Sequence, residues 1–166
     1  MLEDRVSISH HQVHVCSGPS APRYVVAFAG QANGLLGAGD PGALVLVCGT
    51  HTGHVGLRVV LHDAEPPLDD AWEDVVEATF VPAGREMTVA GLMGDVVATV
   101  ELTPGTYRVR WSGTGVDEAY DGVVMAHEPL IDRFELALWP APPAPDRVLR
   151  QGSVRGREAH DAGRAR

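Results

Sequence analysis

The chain has 166 residues, 45% of them apolar and 21% charged, which is the composition of one folded domain with a sizeable core rather than of a disordered polymer. No apolar run approaches the ~20 residues that span a bilayer, and two cysteines do not make a disulfide scaffold. The opening Met-Leu-Glu-Asp-Arg has neither a basic nor an apolar leader, so a cytoplasmic location with no membrane partner is expected.

All 13 basic residues are arginines, and Arg147, Arg150, Arg155, Arg157, Arg164 and Arg166 fall in the last 20 residues. Residues 1–146 hold 7 arginines against 20 acidic residues, a net charge of −13. A body so charged repels nucleic acid and attracts basic proteins.

Along the chain, apolar residues recur with period two, the pattern of strands with one face in a core. Arg5–Cys16 reads as a first strand whose phase changes between Val6/Ile8 and Val13/Val15, which a bulge near Ser9–His11 would reconcile. Gln31–Gly39 is rich in glycine and reads as a loop, followed by a short apolar strand over Ala43–Cys48. Val55–Leu61, Trp72–Phe80 and Glu86–Ala90 read as further strands. Val96–Leu102 and Tyr107–Trp111 read as a hairpin closed by a turn at Thr103-Pro-Gly-Thr106, and Phe134–Leu138 as a last strand. With no amphipathic helix of ordinary length, eight or nine such segments point to an all-β domain, an antiparallel β-sandwich over residues 1–146. Tyr107, Trp111, Phe134 and Leu136 are expected in its core. After Trp139 the prolines of 140–145 end the sheet, and residues 147–166 read as a basic, partly disordered tail.

Histidines and cysteines cluster at His10, His11, His14 and Cys16, and again at Cys48, His51 and His54. Thiolates and imidazoles around one point would make a zinc set, but a continuous strand puts His11 on the face opposite His10, and paired Cys-x2-Cys spacing is absent. No metal site and no cofactor are expected; in particular, Cys16 and Cys48 share no zinc, and His51 and His54 are not permanent ligands. Gly37-Ala-Gly-Asp-Pro-Gly42 matches a dinucleotide fingerprint formally, yet Pro41 and a following strand replace the helix that would hold a pyrophosphate. There is no Gly-x-Ser-x-Gly elbow, and neither cysteine stands in an activating sequence context. No catalytic residue is assigned, and the chain reads as a non-enzyme.

Asp63, Glu65, Asp69, Asp70, Glu73, Asp74 and Glu77 fall within 15 residues that contain no basic side chain. Either they are a solvated loop and strand face, or they form an electrostatic docking surface for a basic partner, with Trp72 as an aromatic anchor.

The segment Val6-Ser-Ile-Ser-His-His-Gln-Val-His-Val15 resembles the opening strand of ComJ-type proteins, competence-associated inhibitors of a DNA-entry nuclease. Trp72–Phe80, Glu86–Leu92, Val96–Leu102 and Pro104-Gly-Thr-Tyr-Arg-Val-Arg-Trp111 follow the same family's strand order, so the resemblance spans roughly residues 5–111. From Asp117-Glu-Ala-Tyr-Asp121 through Asp132–Pro143 the chain is more similar to uncharacterised proteins of GC-rich bacteria, and the Gly30–Gly42 loop and the proline-rich exit depart from the ComJ pattern. The resemblance implies a β-sandwich with an inhibitory or immunity-like role against a basic nuclease or toxin. A structural or accessory component of a larger assembly, using sheet edges or the proline-rich segment, is the alternative.

Overall fold

The computed structural model describes residues 2–19 and 21–165. The chain is all-β in character, with twelve strands joined by hydrogen bonds into a single sheet. In chain order the strands are β1 (Leu2–Ser9), β2 (Gln12–Cys16), β3 (Leu36–Gly37), β4 (Ala43–Val47), β5 (Thr52–Leu61) and β6 (Asp74–Phe80). They continue as β7 (Glu86–Gly91), β8 (Val96–Glu101), β9 (Tyr107–Thr114), β10 (Val123–Val124), β11 (Arg133–Pro140) and β12 (Arg147–Gln151). Three helices interrupt them: α1 (Tyr24–Ala27), α2 (Val116–Ala119) and α3 (Val154–Arg164). None of the described helices is long and apolar enough to cross a membrane.

Nine strands follow the path β12-β6-β9-β11-β5-β1-β2-β4-β3, while β7 pairs with β2 and β8, and β10 pairs with β5. The expected two-sheet sandwich is therefore replaced by one sheet curled into a half-barrel. Period-two burial reports that each strand hides one face, but not whether the facing strands belong to a second sheet. Accumulated twist lets a long sheet face itself and bury the same residues. Pairing is mostly antiparallel, but β11 and β10 both run parallel to β5.

Tyr107, Trp111, Phe134 and Leu136 are in the core as expected. The Trp111 and Phe134 rings stack at 4.7 Å with 2° between their planes, and the indole Nε1 donates to the Val47 carbonyl at 3.0 Å. Three local expectations differ. The first strand is two: His10 and His11 form a two-residue turn, with Ser9 paired to Gln12 and φ of 54° and 63°. That turn, and not a bulge, changes the phase of the apolar residues. The Thr103–Thr106 turn does not close a hairpin, because β8 pairs with β7 while β9 lies between β6 and β11. Finally, the segment expected as a partly disordered tail carries β12 and α3.

α3 has an identifiable start. Ser153 Oγ accepts from Gly156 N at 2.8 Å, and the Asp117 carboxylate on α2 accepts from the Val154 and Arg155 backbone N–H groups at 2.8 and 3.0 Å. Its buried stripe is Gly156, His160 and Gly163, spaced for one helix face. A stripe without large apolar residues carries no hydrophobic periodicity, which is why the sequence reads as a tail.

Candidate functional site

Between β5 and β6 the chain runs through residues 62–73 without regular structure, and this loop holds most of the acidic run. Connections of such length in compact domains are commonly functional. Asp63, Glu65, Asp69, Asp70 and Glu73 are exposed, and Trp72 is half-buried. The loop is pinned from beneath by arginines that are distant in sequence. Arg150 Nη1 donates to the Asp69 and Trp72 carbonyls at 2.9 and 2.7 Å, and its Nη2 meets the Asp70 carboxylate at 2.7 Å. Arg110 donates to the Pro66 carbonyl at 2.9 Å and pairs with Glu65 at 3.1 Å. Glu73 accepts from the Gly115 N–H, and Asp69 from the Ala71 N–H within the loop.

Asp74 and Glu77, expected on the same docking surface, are buried instead. The Asp74 side chain is buried and accepts from the Gly152 and Ser153 N–H groups and from the Ser153 hydroxyl, clamping the turn between β12 and α3. Glu77 is completely buried and meets three guanidinium groups: Arg108 at 3.1 Å, Arg110 at 2.9 Å and Arg147 at 2.7 Å. Burial pushes the Glu77 pKa up, but hydrogen bonds from Arg147, Arg108 and Arg110 outweigh it and hold the carboxyl below its ordinary value. The acidic run, which contains no basic side chain of its own, thus meets arginines from β9 and β12. Arg108 and Arg110 alternate with core residues on β9 and read from sequence as a solvent face, whereas the 62–73 loop, Glu77 and residues 144–147 cover them.

At one end of the sheet the His10–His11 turn meets the 48–51 loop and the 120–122 turn. His11 N donates to the His51 carbonyl, Cys48 N to the His11 carbonyl, His51 N to the Gly122 carbonyl and Asp121 N to the Gly49 carbonyl. One ligand-capable atom each from His11, His51 and Asp121 lies within 4.8 Å of the others, the one such grouping among the described residues. Sequence reasoning missed it because His11 was placed on a continuous strand and Asp121 belonged to no motif. His54 is not in the grouping; its Nδ1 meets the Val124 carbonyl at 3.2 Å. The Cys48 thiol beside the cluster is fully buried, and burial together with the Asp132 charge raises its pKa well above the ordinary value, so it stays protonated. Tyr120 stacks on His11 with ring centroids 5.5 Å apart, and the Arg155 guanidinium lies over the Tyr120 ring at 3.8 Å. A cavity of about 260 Å³ opens here, bordered by His10, His11, Cys48, Val116, Tyr120 and Arg155.

A curled β-sheet carrying an acidic, arginine-pinned loop defines the class: an all-β protein built on one half-barrel sheet. No family model matches the chain, and no curated protein matches it at a significant level. Among solved structures the fold is similar to ComJ from Bacillus subtilis, described as the inhibitor of the DNA degrading activity of NucA. That similarity has a TM-score of 0.58 at 16% identity and covers 85% of this chain and 96% of ComJ. A second similar structure is the crocagin biosynthetic gene J product, with a TM-score of 0.50 at 15% identity, covering 86% of this chain and all of the other. At these identities the likeness is one of fold.

Proposed function

We propose that the protein is a non-enzymatic inhibitor that docks its 62–73 loop onto a basic nuclease. The observation that carries this reading is the fold it shares with a nuclease inhibitor across most of both chains. Exposed Asp63, Asp69 and Asp70 supply negative charge, and Arg150 and Arg110 hold the loop in one shape from below, so little ordering entropy is lost on binding. An anionic loop fits the cationic cleft that a nuclease presents to its anionic substrate. Asp74 and Glu77 support the loop from inside rather than touching the partner.

The test is a DNA-degradation assay of a nuclease encoded beside this gene, with increasing amounts of the protein. Saturable inhibition is expected. The triple change Asp63→Asn, Asp69→Asn and Asp70→Asn should slow association at low salt by about tenfold. The difference should vanish near 1 M salt, where the Debye length is about 3 Å. Unchanged inhibition by the triple variant at low salt would place the docking surface elsewhere. Absence of inhibition by the unaltered protein would favour the accessory-component reading.

A further inference from the structure

We propose that His11, His51 and Asp121 form a binding site for a divalent first-row transition ion, with Zn²⁺ the reference ligand. Two imidazoles and one carboxylate are the donors that Zn²⁺ and its neighbours take, whereas Ca²⁺ and Mg²⁺ prefer oxygen alone.

The orientation of His11 is the strongest observation. Its Nδ1 lies 2.9 Å from the Gly49 carbonyl, which can only accept, so Nδ1 carries the proton. With Nδ1 so occupied, Nε2 is left facing the Asp121 carboxylate at 3.8 Å. A proton on Nε2 would satisfy this pair alone, whereas a metal ion would satisfy it together with His51, whose ligand atom lies within 4.8 Å of both. Fixing the imidazole through its other nitrogen to a backbone carbonyl is also how proteins aim a metal-binding histidine. The His51 ring is also tied back, with Nδ1 2.7 Å from the Thr52 hydroxyl.

Ring placement agrees. With metal–nitrogen bonds of about 2 Å at a tetrahedral angle, two imidazoles on one ion have centroids about 5 Å apart. The His11 and His51 centroids are 4.8 Å apart, with planes at 84°, which keeps the rings from blocking one another. The ligand atoms lie within 4.8 Å of one another against an edge of roughly 3.4 Å in such a tetrahedron, so a side-chain adjustment of about 1.4 Å at most draws them onto one ion.

The backbone carries an independent sign. Among the described residues the non-glycine positions with positive φ are His10, His11 and Asp121, at 54°, 63° and 58°. A two-residue turn of this kind favours Asn-Gly, and histidine in both places is a poor local choice. His and Asp tolerate left-handed backbone better than most residues, and where three such positions meet in space the surroundings hold them there. Here the surroundings are the backbone hydrogen bonds that tie the three loops together, so the site is assembled before any ion arrives. Three protein ligands leave a fourth position for water, the arrangement of an open site.

This inference does not depend on the inhibitor reading, and either can fail alone. The full chain, purified without an affinity tag, is titrated with Zn²⁺ by calorimetry and with Co²⁺ by visible absorption. One ion per chain is expected, with a Tm that rises with free Zn²⁺. Asp121→Asn retains a residue that accepts left-handed backbone, so its fold survives, and its Zn²⁺ affinity should fall at least about tenfold. His51→Ala should lose a similar factor, while His127→Ala, an exposed histidine outside the cluster, should lose nothing. Failure to take up Zn²⁺ or Co²⁺ saturably at millimolar free ion would overturn the proposal. So would undiminished affinity in the double variant Asp121→Asn, His51→Ala.

Discussion

Glu77→Gln is expected to lower folding stability by about 3–5 kcal/mol, because it removes the one carboxylate shared by buried Arg108 and Arg110. For a chain of this size that is a fall in Tm of roughly 10 °C. The glutamine fits the same space, so the loss would come from charge left without compensation and not from a cavity. Arg147→Gln is the contrasting variant. Its side chain is 55% exposed, water can replace its contact, and the cost should be about 1 kcal/mol or less. The acid response follows from the same carboxylate. A folded-state pKa held below the ordinary value near 4.5 gives stability that is present above that value and lost as pH falls through the folded one. The unaltered protein should therefore lose stability on acidification below pH 4.5, and Glu77→Gln should lack that part of the slope. Urea unfolding at a series of pH values measures both. A loss below about 1 kcal/mol in Glu77→Gln would mean that the arginines find solvent when the carboxylate is gone.

Truncation after Ser153, which removes α3, is expected to cost roughly 2–4 kcal/mol and several degrees of Tm. A tail with no apolar face would cost nothing, and that is what the composition suggests. The structure says otherwise through His160, which is completely buried and whose Nδ1 accepts from the Gly34 N–H at 3.0 Å. Without α3 that N–H is orphaned and the glycine-rich loop loses its cover. The loop has a second tie: the Asp146 carboxylate accepts from the Ala32 and Asn33 N–H groups at 2.9 and 2.8 Å. Gly34→Ala makes the same test without deletion, since a Cβ there would run into the Ala159 carbonyl. Burial lowers the His160 pKa below its ordinary 6.5, so the docked helix favours the neutral ring. Its contribution is full above pH 6.5 and declines as pH falls below it, because the unfolded chain then binds the proton more readily. Limited proteolysis at the α3 junction on either side of pH 6.5 should show cleavage rising on the acid side. A truncated chain with unchanged Tm would return α3 to the status of an appendage.

These two centres and the 62–73 loop are linked through shared side-chain contacts. Glu77 holds Arg110, Arg110 and Arg150 hold residues 62–73, and Asp74 holds the turn into α3. Loss of the Glu77 carboxylate is thus expected to loosen the loop's support as well as the core.

Strand content and the apolar core residues were legible in the chain, since period-two burial is a local property, whereas the glycine-rich Gln31–Gly39 segment, read as a loop, also carries the two-residue strand β3. The ComJ-like strand order was legible as well, and the shared fold agrees with it. Whether facing strands close a sandwich or a single curled sheet was not, because strand pairing joins residues far apart in sequence, as β11 with β5 and β12 with β6 do. For the same reason the acidic run looked free of counter-charge: Arg108, Arg110, Arg147 and Arg150 lie 31 or more positions beyond the carboxylates they meet. The histidine cluster was hidden by one backbone fact. Two left-handed residues at positions 10 and 11 turn a presumed strand into a hairpin, and only then does His11 reach His51 and Asp121. Local patterns decide which residues are buried; the pairing of distant segments decides which charges and ligands meet.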